Sequence, residues 1–208
     1  VVTARDVEAV LSEKLKMPLG QVTGSERMAL SNLEETIKSR IVGQVEAVKV
    51  VANALRRTRS GLASGKRPIG TFLFLGPTGV GKTEMAKTIA ELYYKNPKAM
   101  IRVDMSEYQT PGSLEKLVGT NSSPGMLTTA VTDQPFSVVL LDEVEKAEAG
   151  VRNLFLQILD AGRVTDGYGK TVDFTNSMVI ATSNAGSQMI RDAVEQNQID
   201  SNFKTRLL

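Results

Sequence analysis

The amino-acid sequence predicts an α/β fold in which a parallel β-sheet is covered by helices on both faces. Continuous apolar runs at residues 71–75, 137–141 and 178–181 indicate strands that are buried on both sides. Segments with helical spacing of apolar residues, such as 82–94 and 151–159, lie between these runs. Buried strands that alternate with helices along the chain are typical of a parallel sheet with crossover helices.

Composition limits the chemistry that the chain can perform. Its 208 residues, 41% of them hydrophobic and 23% charged, suffice for one domain or one domain with an appendage. The sequence contains no Cys and no His, which excludes disulfides, thiol nucleophiles, zinc–thiolate sites and histidine acid–base chemistry. The net charge of +2 gives no reason to expect a nucleic-acid or membrane partner, and we expect a cytoplasmic location. Because the chain does not begin with Met, we expect it to be part of a longer protein.

The region before the first apolar run is predicted to be helical. Apolar residues recur at three- and four-residue spacing over 3–17, a second helix is predicted from about Ser25, and a third follows Gly43. Residues 60–68 are polar and predict a loop that leads into the sheet.

Shorter elements are predicted in the second half of the chain. Residues 100–103 are a further strand candidate, and a hairpin is predicted between Arg163 and Phe174. The segment 119–125 combines Gly, Ser, Asn and Pro, so we expect it to be the least regular part of the sequence.

A glycine-rich segment follows the first apolar run. Residues 76–83, with the sequence GPTGVGKT, match the pattern G-x-x-x-x-G-K-[ST]. Glycines let the backbone fold tightly so that the amides of about residues 79–83 converge on phosphate oxygens, and the next helix adds its N-terminal dipole. Lys82 is expected to reach the β- and γ-phosphates, and Thr83 to offer its hydroxyl to Mg²⁺. The segment predicts a nucleotide site, with a simple strand-to-helix turn as the alternative.

Two acidic residues, Asp142 and Glu143, end the apolar run 137–141. Ligands of open α/β sheets lie at the carboxyl ends of the strands, so these acids are expected beside the phosphate loop if the strands are neighbours. Asp142 would hold Mg²⁺ directly or through water, and Glu143 would orient and deprotonate the attacking water. The alternative is a solvated turn in which one of the acids caps the next helix.

Asn184 follows the apolar run 178–181 in the same way. Its uncharged amide could hydrogen-bond the γ-phosphate or the attacking water. The alternative is an ordinary Asn-Ala-Gly turn, and the residues alone do not decide between the two.

With these three elements in order, the chain resembles an AAA+ ATPase, and more closely the second ATPase module of the ClpA/ClpB/ClpC group of protein-unfolding machines. The similarity runs from about Val22 to Ser187. The stretches that carry it are 41–44, 67–83, 104–108, 137–146, 156–167, 171–174 and 182–184.

The resemblance implies a fold and a domain organisation. The fold would be that of a P-loop NTPase of the AAA+ type, with a three-layer arrangement of a parallel sheet and flanking helices. Residues 1–21 would be an N-terminal helical linker and residues 22–208 the nucleotide-binding large subdomain. The C-terminal helical lid and the arginine finger of the family would lie beyond Leu208.

The resemblance also implies a set of site residues. Glu143, Lys82 and Asn184 would be catalytic, with Asn184 sensing the γ-phosphate, while Thr83 and Asp142 would hold the metal. Ile41 and Val42 would line the adenine pocket. The remaining nucleotide contacts would come from the phosphate loop and the start of its helix, namely Gly76, Pro77, Thr78, Gly79, Val80, Gly81, Lys82, Thr83 and Glu84.

The pore loop departs from the family pattern. In the family an aromatic Gly-Tyr-Val-Gly core follows a stretch like residues 117–119, whereas residues 120–127 are shorter and carry no aromatic residue. Met126 is then the large apolar side chain available to grip a substrate. Either this member does not thread substrate by the usual contact, or loop residues are absent from the sequence. Tyr168, in the predicted hairpin, is a second candidate substrate contact or else a turn residue.

The resemblance implies a function. The chain would bind ATP and hydrolyse it to ADP and phosphate with Mg²⁺, as part of a homohexameric ring that remodels unfolded or aggregated polypeptides. A peptidase or an adaptor is a further candidate partner, whereas a membrane or a nucleic acid is not expected. By itself the chain is expected to hydrolyse ATP very slowly, because an arginine finger accelerates phosphoryl transfer by about 10³ to 10⁵.

Two other function classes stay open. The basic residues Arg56, Arg57, Arg59, Lys66 and Arg67 would suit an AAA+ module that acts in nucleic-acid or transcription remodelling, although the nearly neutral overall charge favours a solvated helix end. The shortened pore loop would suit a scaffold that binds ATP to assemble a ring and threads substrate weakly. Intact Lys82 and Glu143 argue against that scaffold.

Overall fold

The computed structural model describes residues 32–59 and 66–195, together with Val2, Thr3, Asp6, Val7 and Val10. The predicted linker 1–21 and the first part of the helix predicted from Ser25 lie outside the described residues, apart from those five. So does the part of the predicted large subdomain beyond residue 195. The predicted domain bounds therefore stay predictions.

Helices account for much of the described chain. They are α1 (Leu33–Lys38), α2 (Val45–Arg59), α3 (Lys82–Tyr94), α4 (Ser113–Val118), α5 (Met126–Asp133), α6 (Ala149–Ala161) and α7 (Ser187–Glu195), with short 3₁₀ turns at Met105–Glu107 and Val144–Lys146. Within the described residues, no helix has both the length and the apolar character that a membrane crossing requires.

The strands form one large sheet and two hairpins. They are β1 (Gly70–Leu75), β2 (Met100–Asp104), β3 (Gly119–Thr120), β4 (Ser123–Pro124), β5 (Val138–Asp142), β6 (Arg163–Thr165), β7 (Thr171–Asp173) and β8 (Met178–Ser183). The four-stranded sheet has the order β1-β8-β5-β2, and all its pairs are parallel. The predicted parallel sheet is confirmed, with β1 and β8 slightly longer than their apolar runs and β5 shifted one residue toward the C-terminus. The expectation that the run 71–75 is buried on both sides was wrong, because β1 is an edge strand of the sheet and Leu73 is 52% exposed.

Each face of the sheet carries its own hydrophobic core, so the fold has three layers. Along β5, the side chains of Val138 and Leu140 belong to the core that also contains residues of α1, α2 and α3, whereas Val139 and Leu141 belong to the core with residues of α4, α5 and α6. This alternation follows from the two-residue period of a strand. All five residues of β5 are buried, because helices cover both of its faces.

The segment 119–125 is more regular than its composition predicts. Gly119 pairs with Pro124 and Thr120 with Ser123, so β3 and β4 form a small antiparallel hairpin. The expectation of an irregular stretch was wrong, because polar turn residues also suit a tight hairpin. The hairpin predicted between Arg163 and Phe174 is present as β6 and β7.

Candidate nucleotide-binding site

The phosphate loop joins the end of β1 to the start of α3. Gly79 and Gly81 have φ angles of 87° and 94°, in the region that side chains with a Cβ rarely adopt. A Cβ added at either position would meet no atom within 4 Å, so the requirement for glycine here is conformational and not steric. Gly81 is the N-cap of α3 and supplies no side-chain cap, which leaves the first amides of the helix for a ligand.

A cavity of about 410 Å³ opens in front of this loop. Its volume lies in the range of small-molecule sites. The loop, the end of β5 and the end of β8 all contribute to its wall, together with one residue of β2. The lining residues are Thr78, Gly79, Gly81, Lys82, Thr83, Glu84, Arg102, Asp142, Glu143 and Asn184.

A second and smaller cavity, of about 190 Å³, shares Gly81 and Lys82 with the first. Its wall is mostly apolar, as expected for a pocket that holds a flat ring. It includes Ile41, whereas Val42 is 89% exposed and is not part of the wall. Sequence reasoning missed the other wall residues, which are Gln44, Ala47, Leu73, Phe74, Leu75 and Met85, and placed Val80 only in the phosphate loop.

Lys82 is bound to its own loop. Its Nζ donates to the carbonyl oxygens of Gly76 at 2.6 Å and Pro77 at 3.0 Å, and to Oδ1 of Asn184 at 2.8 Å. Desolvation lowers the pKa of Lys82, and the nearby carboxylate of Asp142 partly offsets this effect. Since an ammonium has three donors, a phosphate oxygen would replace one of these neutral acceptors with a charged one.

Asn184 connects Lys82 to the predicted catalytic acid. While its Oδ1 accepts from Lys82, its Nδ2 donates to Oε1 of Glu143 at 3.1 Å. The other oxygen of Glu143, Oε2, accepts from Nζ of Lys146 at 2.5 Å, which raises the pKa of Lys146. Glu143 has a φ of 59°, so its backbone adopts the left-handed conformation. A continuous chain of hydrogen bonds therefore links Lys82, Asn184, Glu143 and Lys146. The first three of these residues line the cavity.

Asp142 is only 8% exposed, and both of its oxygens have partners. Oδ1 accepts from Oγ1 of Thr182 at 2.5 Å, and Oδ2 accepts from Nη2 of Arg102 at 2.7 Å. Asp142 and Thr83 line the same cavity and carry the hard oxygen donors that Mg²⁺ prefers. The Arg102 guanidinium already places a positive charge against Asp142, so this carboxylate can accommodate a cation. Asp142 and Thr83 therefore fit a metal ion.

The metal would need further ligands from outside the protein. In the described part of the chain, no group of three or more Asp, Glu, His or Cys residues could hold an ion. Nucleotide phosphates and water would complete the coordination, which is the usual arrangement for Mg²⁺ in nucleotide sites.

Comparison with known proteins identifies the family. A family model described as "AAA domain (Cdc48 subfamily)" matches residues 67–208, more than half of the sequence. The chain belongs to the AAA family. This assignment confirms the resemblance noted in the sequence and agrees with the parallel sheet and the phosphate loop described above.

The AAA relatives include bacterial chaperones. ClpB of Vibrio cholerae serotype O1 is 50% identical over 197 residues, which cover 92% of this chain and 23% of that protein. ClpB of Meiothermus ruber is 45% identical over 213 residues, which cover all of this chain and 25% of that protein. The chain therefore spans about a quarter of the length of these relatives.

A solved structure has the same AAA fold. A cryo-electron microscopy reconstruction of Hsp104 in the closed state, with ATPγS and FITC casein, superposes with a TM-score of 0.83 at 36% identity. The match covers all of this chain and 39% of the Hsp104 chain.

Several polar residues of this AAA site were missed by sequence reasoning. Glu145 accepts a hydrogen bond from the backbone N–H of Asn184 at 3.1 Å and so holds the turn after β8. Desolvation acts to raise the pKa of Glu145, but hydrogen bonds from its own backbone, Ser183 and Asn184 outweigh it and lower the pKa. Thr182 and Arg102 both contact Asp142, which is 40 residues away in the sequence, so no local pattern marks them. Lys146 contacts Glu143 three residues earlier, a spacing that local sequence reasoning could have recognised.

The two candidate substrate contacts lie away from the cavities of this AAA module. Met126, at the start of α5, is 39% exposed, and Tyr168, in the turn between β6 and β7, is 57% exposed. Neither lines the 410 Å³ or the 190 Å³ cavity. Their roles as substrate contacts stay predictions.

Asn184→Ala should separate nucleotide binding from hydrolysis. The variant removes the link between Lys82 and Glu143, while Lys82 keeps two carbonyl acceptors in the loop. We expect hydrolysis by the full-length protein to fall by about 10²-fold while the Kd for ATP changes little. Steady-state phosphate release and calorimetric titration measure the two quantities. Asn153→Ala, at an exposed position of α6, is the control. Equal losses in both quantities would contradict a role specific to hydrolysis.

Proposed function

We propose that this chain is the ATP-binding and ATP-hydrolysing module of a ring-forming chaperone that remodels polypeptides, and that its activity depends on Mg²⁺. The observation that carries the proposal is the meeting of Lys82, Asp142, Glu143 and Asn184 in one 410 Å³ cavity. Membership of the AAA family and the similarity to ClpB support it.

The phosphate groups would be bound by the loop amides and by Lys82. A phosphate oxygen would replace one of the two carbonyl oxygens, of Gly76 or Pro77, as an acceptor of Nζ. Thr83 and Asp142 would hold Mg²⁺, which when bound supplies positive charge to the β- and γ-phosphates. The apolar cavity that contains Ile41 would take the adenine ring, and Val42 would contact the nucleotide from the surface.

Glu143 would act as the base that takes a proton from the attacking water. Its Oε1 accepts from Asn184 and its Oε2 from Lys146, so one lone pair of each oxygen is engaged, and both hydrogen bonds stabilise the carboxylate and weaken it as a base. A γ-phosphate that draws the Asn184 amide toward itself would release Oε1 of Glu143. Asn184 would thereby couple arrival of the γ-phosphate to release of the base.

Polypeptides are the proposed substrate of the full-length protein. Its relatives are named chaperones, and the Hsp104 structure contains casein. Met126 and Tyr168 are exposed and lie outside the cavities, so a polypeptide could contact both while nucleotide is bound. We propose a homohexameric ring in the cytoplasm as the working form, with a peptidase or an adaptor as a further partner.

The alternatives have less support. Arg67, a member of the basic cluster that would suit nucleic acid, forms an ion pair with Asp160 at 2.6 Å. A scaffold that does not hydrolyse ATP would not need the contact between Glu143 and Asn184, the proposed γ-phosphate sensor.

The decisive experiment uses the full-length protein that contains this chain. ATP hydrolysis is measured with and without Mg²⁺, and then with an unfolded protein or with duplex DNA, and recovery of a heat-aggregated reporter enzyme is followed in parallel. We expect hydrolysis that needs Mg²⁺, is stimulated by the unfolded protein and is unchanged by DNA. Stimulation by DNA alone would support nucleic-acid remodelling, and nucleotide binding without hydrolysis would support the scaffold.

The chain by itself should hydrolyse ATP slowly. Among the described residues of the cavity wall, the cations are Lys82 and Arg102, and both contact groups of their own chain. An arginine from a neighbouring subunit would supply the missing charge, worth about 10³ to 10⁵ in turnover. We therefore expect the 208-residue chain to bind ATP but to release phosphate slower than the ring by about that factor. Rapid steady-state phosphate release by the isolated chain would refute this expectation.

A further inference from the structure

Arg102 contacts the carboxylate that is proposed to hold the metal. It lies on β2, which pairs with β5 so that Asp104 is level with Asp142 at the ends of the two strands. From two positions before the strand end, the Arg102 side chain reaches Asp142 at the end of β5 and lines the 410 Å³ cavity. Its Nη2 is 2.7 Å from Oδ2 of Asp142 and 4.0 Å from Oδ2 of Asp104.

The environment of this ion pair is asymmetric. The Arg102 side chain is 52% exposed, whereas that of Asp142 is 12% exposed. The other Asp142 oxygen, Oδ1, is held by Thr182 from β8. Asp142 is thus fixed by the sheet, while Arg102 has open space on the cavity side into which it can move.

The guanidinium and a metal ion would compete for Asp142. Oδ2 is the Asp142 oxygen that does not contact Thr182, and it already accepts a charge-assisted hydrogen bond from Arg102. A divalent ion bound there would lie within a few ångströms of the guanidinium, and the two positive charges would repel each other, although less strongly at this half-exposed wall than in a dry interior. Arg102 and the metal therefore exclude each other from this oxygen.

Asp104 offers Arg102 a second position. Oδ1 of Asp104 accepts hydrogen bonds from the backbone N–H and the hydroxyl of Ser106, at 3.0 and 2.6 Å. These bonds lower the pKa of Asp104 and orient its Oδ2 toward Arg102. A short movement of the guanidinium would exchange Asp142 for Asp104 without leaving the charge unpaired.

We infer that Arg102 is a resident counter-cation of Asp142, which Mg²⁺ must displace when nucleotide binds, and that it thereby sets the Mg²⁺ concentration that nucleotide binding requires. The inference rests on the proposed function of the cavity. It makes Arg102 a positioning residue, which acts through Asp142 and not through contact with the reacting atoms.

The test compares Arg102→Gln and Arg102→Lys with the unsubstituted full-length protein. Binding of a fluorescent ADP analogue is titrated at a series of free Mg²⁺ concentrations, so the readout does not depend on hydrolysis. Arg102→Gln removes the competing charge, and the free Mg²⁺ that gives half-maximal binding should fall about 5- to 10-fold. Arg102→Lys, which keeps a charge with less suitable geometry, should give an intermediate value.

Controls separate this effect from loss of structure. Arg163→Gln, at an exposed position of β6 outside both cavities, should leave the Mg²⁺ requirement unchanged. Thermal unfolding followed by circular dichroism shows whether each variant keeps the fold. Binding of the analogue at saturating Mg²⁺ should be nearly equal in all the proteins.

Three other outcomes would overturn the inference, and each points to a different explanation. An unchanged Mg²⁺ requirement in a folded Arg102→Gln protein would make the ion pair purely structural. Weaker ADP binding by a folded Arg102→Gln protein at saturating Mg²⁺ would make Arg102 a phosphate ligand. If the unsubstituted protein bound no nucleotide at any Mg²⁺ concentration, the proposed function would fail and the inference with it.

Discussion

Lys82→Ala should abolish nucleotide binding. The ammonium of Lys82 lies at the point where the phosphate loop, Asn184 and the cavity meet, and its three donors are directed at oxygen atoms there. Its replacement removes charge-assisted hydrogen bonds to the phosphates, each of which is about twice as strong as a neutral one. We expect the Kd for ATP and for ADP to rise at least about 100-fold. Isothermal titration calorimetry of the full-length protein in the presence of Mg²⁺ measures this change.

The matched control is Lys87→Ala. Lys87 lies on the same helix, is 56% exposed and does not line either cavity. Its replacement changes the net charge and the composition of α3 in the same way as Lys82→Ala, so the two variants differ mainly in position. Binding lost in both variants would indicate damage to α3 and not removal of a phosphate ligand. Binding retained in Lys82→Ala would show that the loop does not hold phosphate as proposed.

Glu143→Gln should stop hydrolysis and preserve binding. The substitution keeps the shape and a hydrogen-bonding oxygen, but an amide cannot take a proton from water. General-base catalysis contributes about 10² to 10⁴ to the rate, so turnover by the full-length protein should fall by that factor. Single-turnover phosphate release and the Kd for ATP, measured on the same preparation, give both quantities.

Glu148→Gln is the control for Glu143→Gln. Glu148 lies close by in the sequence, at the N-cap of α6, and is not part of the cavity wall. Its replacement removes a carboxylate from the same region without touching Asn184 or Lys146. Normal turnover by the Glu143→Gln protein would show that another group is the base, and loss of ATP binding would show that the carboxylate has a role in the ground state.

The prediction of this fold from sequence succeeded where the signal was local. The apolar runs at 137–141 and 178–181 are confirmed as buried strands, because a strand covered on both faces needs apolar residues at nearly every position. The run 71–75 is also a strand, but the prediction that it is buried on both sides was wrong, because β1 lies at an edge of the sheet and Leu73 is 52% exposed. The expectation for 119–125 was wrong, since Gly, Ser and Pro suit a tight hairpin as well as an irregular loop.

The candidate site was likewise predictable where the signal was local. The phosphate loop, Asp142, Glu143 and Asn184 occupy recognisable positions at the ends of strands, and the structure brings them to one cavity. Their functional roles stay predictions until the variants above are measured. Nothing local in the sequence indicated that Arg102 or Thr182 would contact Asp142.

The sequence by itself determined which segments become the strands of the four-stranded sheet, which segment can fold around a phosphate, and which histidine- or cysteine-based chemistries are excluded. Only the tertiary structure decided which side chains meet at the carboxyl edge of the sheet. The order β1-β8-β5-β2 places Thr182 on one side of Asp142 and Arg102 on the other, although both are 40 residues away in the chain. The physical reason is that buried apolar strands can pair in many orders, and packing of both helical layers selects one of them.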